Sequence, residues 1–154
     1  MFKKIVLATD GSAHAMKSAR VAADLAATYG ARLTIVNVLP TALSLEDVEK
    51  APQAKRFSRA IKREIAVIRN TLVRSPTHDP EALSQWVPAL HTVRKELADR
   101  ILDDAERIAR ARKVKSVERV AADGDAAQRI AETVKKSKAD LVVMGAREIG
   151  RAHV

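Results

Sequence analysis

The residues of this chain best suited to chemistry stand where two apolar runs stop. Asp10, Gly11 and Ser12 follow Ile5-Val6-Leu7-Ala8-Thr9, and Gly145 follows Leu141-Val142-Val143-Met144. Gly11 permits a tight turn, Ser12 can cap a following helix with its hydroxyl, and Asp10 would form the first polar wall of a site. In open α/β sheets, ligands sit in the crevice outside the carboxyl ends of the strands, at the point where the strand order reverses. The pattern therefore predicts a binding site there. The bland alternative for Asp10 is an ordinary turn residue, and for Ser12 a helix cap with no ligand. Catalysis finds no support: cysteine is absent, which removes thiolate chemistry, and His14, His78, His91 and His153 lie far apart without ligand spacing. No Ser-His-Asp spacing and no carboxylate pair with a local reason for separated pKa values is present, so neither an enzyme nor a metal site is expected.

These residues need elements to hold them. Ile5 to Thr9 is too short for a helix and too uninterrupted for a half-exposed strand, so it predicts a strand buried on both faces inside a parallel sheet. A helix from about Ser12 to Tyr29 follows, ended by Gly30, with Met16, Ala19, Ala22, Ala23 and Ala26 forming a narrow face of small residues. Leu33 to Leu39 is the second buried strand, stopped by Pro40. Ser116 to Ala121 is the weakest strand and predicts an edge; Gly124-Asp125 then opens a helix in which Asp125 and Gln128 form a variant capping box. Ile130, Ala131 and Val134 give that helix a buried stripe before the strand Leu141 to Met144.

The middle third is helical. Ser44-Leu45-Glu46-Asp47 has the form of a capping box, Phe57, Ile61, Ile65, Ile68 and Leu72 repeat as one amphipathic helix, and Leu90, Val93, Leu97, Ile101, Ala105 and Ile108 mark another. Trp86, between Pro80 and Pro88, is expected as a plug over the core. The 154 residues carry a net charge of +9, and the seven cations from Lys55 to Arg74 against Glu64 alone place +6 of it on one helix. With one Trp, one Tyr and two Phe there is no aromatic platform for single-stranded bases, so no specific nucleic acid is expected. The 47% hydrophobic content suits a single globular domain over residues 1–154, enlarged by the helical segment 41–113. No run is long enough to span a membrane and no signal peptide is evident, which predicts a cytoplasmic protein.

Ile5-Val6-Leu7-Ala8-Thr9-Asp10-Gly11-Ser12, Leu33 to Leu39, Asp123-Gly124-Asp125-Ala126 and Ala139 to Gly145 together resemble the universal stress protein family of the UspA type. The resemblance covers the first and last forty residues, while Thr41 to Lys113 matches only as helical filler longer than the family spacing. It implies a doubly wound parallel sheet, Rossmann-like and close to the adenine-nucleotide alpha hydrolases, with four strands evident and helices on both faces. It also implies ATP, with or without magnesium, at the switch point, and the matching positions are Ala8, Asp10, Val38, Met144, Gly145, Arg147 and Gly150. Asp10 resembles the acidic contact near the nucleoside and Val38 the backbone partner of adenine. Met144 and Gly145 match the start of the phosphate loop, where glycines let amides approach phosphate. In the loop pattern Gly-x2-Gly-x9-Gly-Ser/Thr, Glu148 replaces the second glycine and the third would fall beyond Val154; Arg147 or Gly150 would partly offset that carboxylate.

By this resemblance the chain is a cytoplasmic, adenine-nucleotide-binding (ATP or AMP) regulatory protein of the stress response. The alternative is a member without nucleotide that engages a protein partner through its helical segment. Unspecific binding of a polyanion or anionic membrane by the Lys55 to Arg74 face is a third. The family's last helix and fifth strand are not evident, so the chain reads as a fragment or as a variant with a degraded C-terminus. Either self-association, as in a homodimer through the edge of the fourth strand, or marginal stability is expected.

Overall fold

The computed structural model describes residues 1–74 and 80–146. In chain order the elements are β1 (Lys4–Ala8), α1 (Ala13–Tyr29), β2 (Arg32–Leu39), α2 (Leu45–Lys50), a 3-10 turn (Pro52–Arg56), α3 (Arg59–Arg74), α4 (Pro80–Ser84), α5 (Val87–Ala111), β3 (Val117–Asp123), α6 (Ala126–Ser137) and β4 (Leu141–Met144). The strands form one parallel sheet in the order β3-β2-β1-β4, an α/β arrangement that reverses direction between β1 and β4. Among the described residues no helix is long and apolar enough to cross a membrane. The chain divides into two compact units, Met1–Thr41 with the chain from Ile101 onward, and Ala42–Arg100.

The sheet belongs to the first unit. Crossovers between parallel strands are right-handed, so a step from β1 to β2 and a step the other way from β3 to β4 put α1 and α6 on opposite faces. The alternation of β1 shows this directly. Ile5 and Leu7 join Leu33, Ile35 and the α1 alanines in one core, while Val6 and Ala8 join Val36 and the half-buried Ile130 and Val134 of α6 in the other. On α1 the buried residues are Ala15, Ala19, Ala22, Ala23 and Ala26, with Met16 only half-buried; methyl groups alone allow the helix to lie close on the sheet. Ser12 caps its start, and Gly30, at φ 64°, ends it in the left-handed conformation. The α6 face is thinner than its sequence suggests: the helix has no fully buried residue, and Ala131 is exposed. Asp125 caps α6 by accepting from Gln128 N–H, but Gln128 turns its side chain to Glu132, so the box is half made. β3 is an edge strand as expected, and β4 is the other edge among the described residues.

In the second unit, the box at Ser44 and Asp47 is complete. The basic stretch is two elements, not one helix: the 3-10 turn ends at Phe57, and Ser58 Oγ accepts from Ile61 N–H at 3.3 Å to start α3 afresh. Ile61, Ile65 and Ile68 are buried, but Leu72 is exposed, so the stripe stops a turn early. Trp86 is half-buried in the turn between α4 and α5.

One carboxylate ties the N-terminus to the last strand. Asp140 Oδ2 accepts from Lys3 N–H at 2.7 Å and Lys4 N–H at 2.9 Å, and Asp140 N–H donates to Lys4 C=O at 2.8 Å. The two backbone donors hold the Asp140 carboxyl below its usual pKa. A carboxyl depressed in the folded state stabilises above its unfolded pKa, about 3.9, and loses that contribution as pH falls through the folded value. Melting curves from pH 6 down to acid, for wild type and Asp140→Asn, should therefore show a wild-type advantage at neutral pH that shrinks toward zero in acid. A gap independent of pH would remove this role.

Candidate functional site

The β1–β2 register builds a notch. Ala8, the last residue of β1, pairs with Val36 on one side and Met144 on the other, while β2 continues through Asn37 and Val38 to Leu39 beside β3. Those three further residues extend about 10 Å at the strand rise, so an opening is left over the end of β1 with β2 as its taller wall. Val36 C=O accepts from Thr9 N–H at 2.9 Å, whereas Leu39 C=O accepts from Gly124 N–H on the β3 side at 3.0 Å. Successive residues of a strand address opposite neighbours, so Val38 turns its N–H and C=O toward β1, as Val36 does, and into the notch.

Asp10 stands exposed at the floor, where its Oδ1 accepts from Ser12 N–H at 2.9 Å and Gly11 takes φ 79°. Its carboxylate thus serves as a turn acceptor and still faces solvent. Ser12 Oγ accepts from Ala15 N–H at 3.2 Å, which makes it a helix cap. Gly145 lies against the first turn of α1: a Cβ there would sit 3.5 Å from Ala15 N and Cα and 3.7 Å from His14 C. That is ordinary contact for a methyl group, and a longer side chain would have to turn away from the helix. Met144 is exposed on the β4 wall, His14 is exposed on the first turn of α1, and Ala8 is buried in the core on the α6 side. Arg147 and Gly150, with Glu148, lie outside the described residues. Asp10, Val38, Met144 and Gly145 therefore share the carboxyl edge of the sheet, with Val38 on the β2 side of the end of β1, Met144 and Gly145 on the β4 side, and Asp10 at the floor.

Two residues at this edge escape a reading of the sequence alone. Thr9 and Asn37 are buried, and Asn37 Nδ2 donates to Thr9 C=O at 2.9 Å. The available signal is Asn37 itself, one amide inside the aliphatic run Leu33-Thr34-Ile35-Val36-Asn37-Val38-Leu39.

A second opening, an open groove of about 410 Å³, lies between β3 and α6, lined by Val120, Ala122, Asp123, Arg129, Glu132 and Lys136 among others. Its guanidinium and one carboxylate are already engaged: Arg129 Nε donates to Asp123 C=O at 3.0 Å and Nη1 to Glu132 Oε2 at 3.0 Å. Hydrogen bonds from Gln128 and Arg129 hold the Glu132 carboxyl below its usual range. In the groove Arg129 and Glu132 already satisfy each other, while the notch exposes backbone groups and a carboxylate.

The model of the universal stress protein family matches residues 1–153. Among solved structures, a protein of that family from Burkholderia pseudomallei is 25% identical, with a TM-score of 0.57 over 94% of this chain and 81% of that one. A protein from Mycobacterium tuberculosis H37Rv is 20% identical, with a TM-score of 0.52 over 99% and 81%. A universal stress protein in complex with cAMP is 20% identical, with a TM-score of 0.53 over 92% and 75%. The last two share the fold. No curated protein matches the chain.

Ser12→Ala removes the α1 cap and should cost about 1 kcal/mol in denaturant unfolding, with Ser12→Asp restoring most of it. Equal midpoints for wild type and Ser12→Ala would contradict the cap.

Proposed function

The chain belongs to the universal stress protein family, and we propose that it binds an adenine nucleotide in the notch over the end of β1. The observation that carries this reading is the orientation of Val38, whose N–H and C=O face the notch beyond the last paired residue of β1. An adenine edge offers a ring nitrogen and an amino group to such a pair. Asp10, exposed at the floor, suits the hydroxyls of a ribose. Gly145, close against α1, marks where the phosphates would pass, with Arg147 and Gly150 as their further contacts. The cAMP carried by one relative of the same fold supports a nucleotide over other ligands. In this reading the ligand is ATP or AMP, with magnesium accompanying the triphosphate, and the protein is a cytoplasmic regulator of the stress response, without turnover of its own, that works as a homo-oligomer.

A second reading has its own observation. Lys55, Arg59, Lys62 and Arg63 make no ion pair among the described residues, whereas Arg69 is paired with Glu49 and Arg100 with Glu96. Val67 and Val73 are exposed on the same α3. That surface suits an acidic protein partner. Binding of a labelled polyglutamate should fall steeply with salt and with charge reversal at Arg59 and Arg63; binding insensitive to both would dismiss this reading.

For the nucleotide, saturating ATP should raise the melting temperature, since linkage gives about 2.7 kcal/mol at a hundredfold excess over Kd. Asp10→Ala should abolish the shift. Asp10→Asn keeps an acceptor for Ser12 N–H, so it should melt like wild type without ligand and still lose most of the shift. A folded wild type that ignores millimolar ATP would end the nucleotide reading.

A further inference from the structure

The β1–β2 ladder is closed at its end by two side chains in place of its own next rungs. Arg32 N–H donates to Lys3 C=O and Thr9 N–H to Val36 C=O, each at 2.9 Å. Continued by one step, the same pattern would send Val38 N–H to Thr9 C=O and Gly11 N–H to Val38 C=O. Among the described residues neither bond is made. Thr9 C=O accepts instead from Asn37 Nδ2 at 2.9 Å, and Gly11 N–H donates to Thr9 Oγ1 at 3.2 Å. A carbonyl only accepts, so the amide atom facing Thr9 is the nitrogen. Asn37 is 1% exposed, and its Oδ1 has no partner. A leucine would fill the space without burying an unpartnered oxygen, so what the amide adds at this position is its donor to Thr9.

We propose that Thr9 and Asn37 are positioning residues that hold the ladder open at Val38, so that its N–H and C=O stand side by side as a donor–acceptor edge for adenine. The proposal rests on the nucleotide reading and adds the source of its base selectivity. A 6-amino purine presents an acceptor ring nitrogen beside a donor amino group, which matches the Val38 pair. A 6-oxo purine presents a ring N–H beside an acceptor oxygen, and against the same backbone edge it meets donor with donor and acceptor with acceptor. Selectivity then comes from main-chain groups that no substitution of Val38 itself can remove, and the two buried side chains govern it from below.

Backbone amide exchange followed by NMR, with titrations of ATP and ITP, tests this on the full chain. In free wild type the Val38 amide should exchange roughly tenfold or more faster than that of Val36, slow when ATP is added, and be indifferent to ITP. In Asn37→Leu, Thr9 C=O is released to Val38 N–H, the Val38 amide becomes protected without ligand, and ATP affinity falls roughly three- to tenfold. Thr9→Val releases Gly11 N–H to Val38 C=O, should give a similar loss of affinity, and serves if Asn37→Leu does not fold. A wild-type Val38 amide as protected as Val36 overturns the proposal alone, even in a protein that binds ATP. Unchanged exchange and affinity in both variants does the same. An open Val38 amide in a protein that binds no adenine nucleotide overturns the nucleotide reading and, with it, the adenine recognition proposed here.

Discussion

The structure depends on β1 being buried on both faces and paired on both edges. Ile5 and Leu7 meet the α1 side, Val6 and Ala8 meet the α6 side, and β2 and β4 flank the strand. The four buried positions of such a strand, Ile5 to Ala8, leave no place for an unpartnered polar side chain, since burying one costs a few kcal/mol. Polar chemistry can begin only where the strand ends, and it does so at Thr9 and Asp10. The site is therefore a product of where β1 stops relative to β2. A central strand one rung longer would satisfy Val38 internally and leave no backbone to offer.

Electrostatics follows a different rule in each part of the molecule. Along the last turns of α5 and on β3, basic groups have acids at hand: Arg110 pairs with Glu106, and Arg119 with Asp103 and Glu106. Exposed pairs of this kind add a few tenths of a kcal/mol each and serve mainly to keep local charge near neutral. The start of α3 departs from this, with cations in and before the first turn and no acid there. Positive charge at the positive end of a helix is mildly unfavourable, so the crowding is not explained by the stability of α3 itself.

Much of the fold is legible in the sequence because its strongest signals are local. Runs dominated by aliphatic residues mark β1, β2 and β4; Ser12, Gly30, Ser44 and Asp125 mark helix ends through bonds that reach only a few residues. The failures share a physical cause. Leu72 and Ala131 sit on the right phase of their helices but are exposed, because periodicity gives the face and not how far the covering layer extends. The break at Phe57 and Ser58 is a local signal that the longer stripe from Phe57 to Leu72 masked. At the site, Asp10 and Gly145 are legible as strand ends. Thr9 and Asn37 are not, since their role exists only in a register joining residues 28 apart, and no pattern within either strand encodes that register.

The tie between Asp140 and the N-terminus has a consequence for the order in which the molecule is made. β1 leaves the ribosome before the other three strands, yet its β4 neighbour is joined to it across a sequence separation of about 136 residues, sealed by Asp140 on Lys3 and Lys4. Contacts so distant in sequence cost more loop-closure entropy and form late. Until β4 is made, the nascent chain therefore carries β1 with one bare hydrogen-bonding edge, the kind of surface that invites mispairing with another chain. The short length of β1, five residues, limits how much of that edge there is to mispair while the rest of the chain is translated.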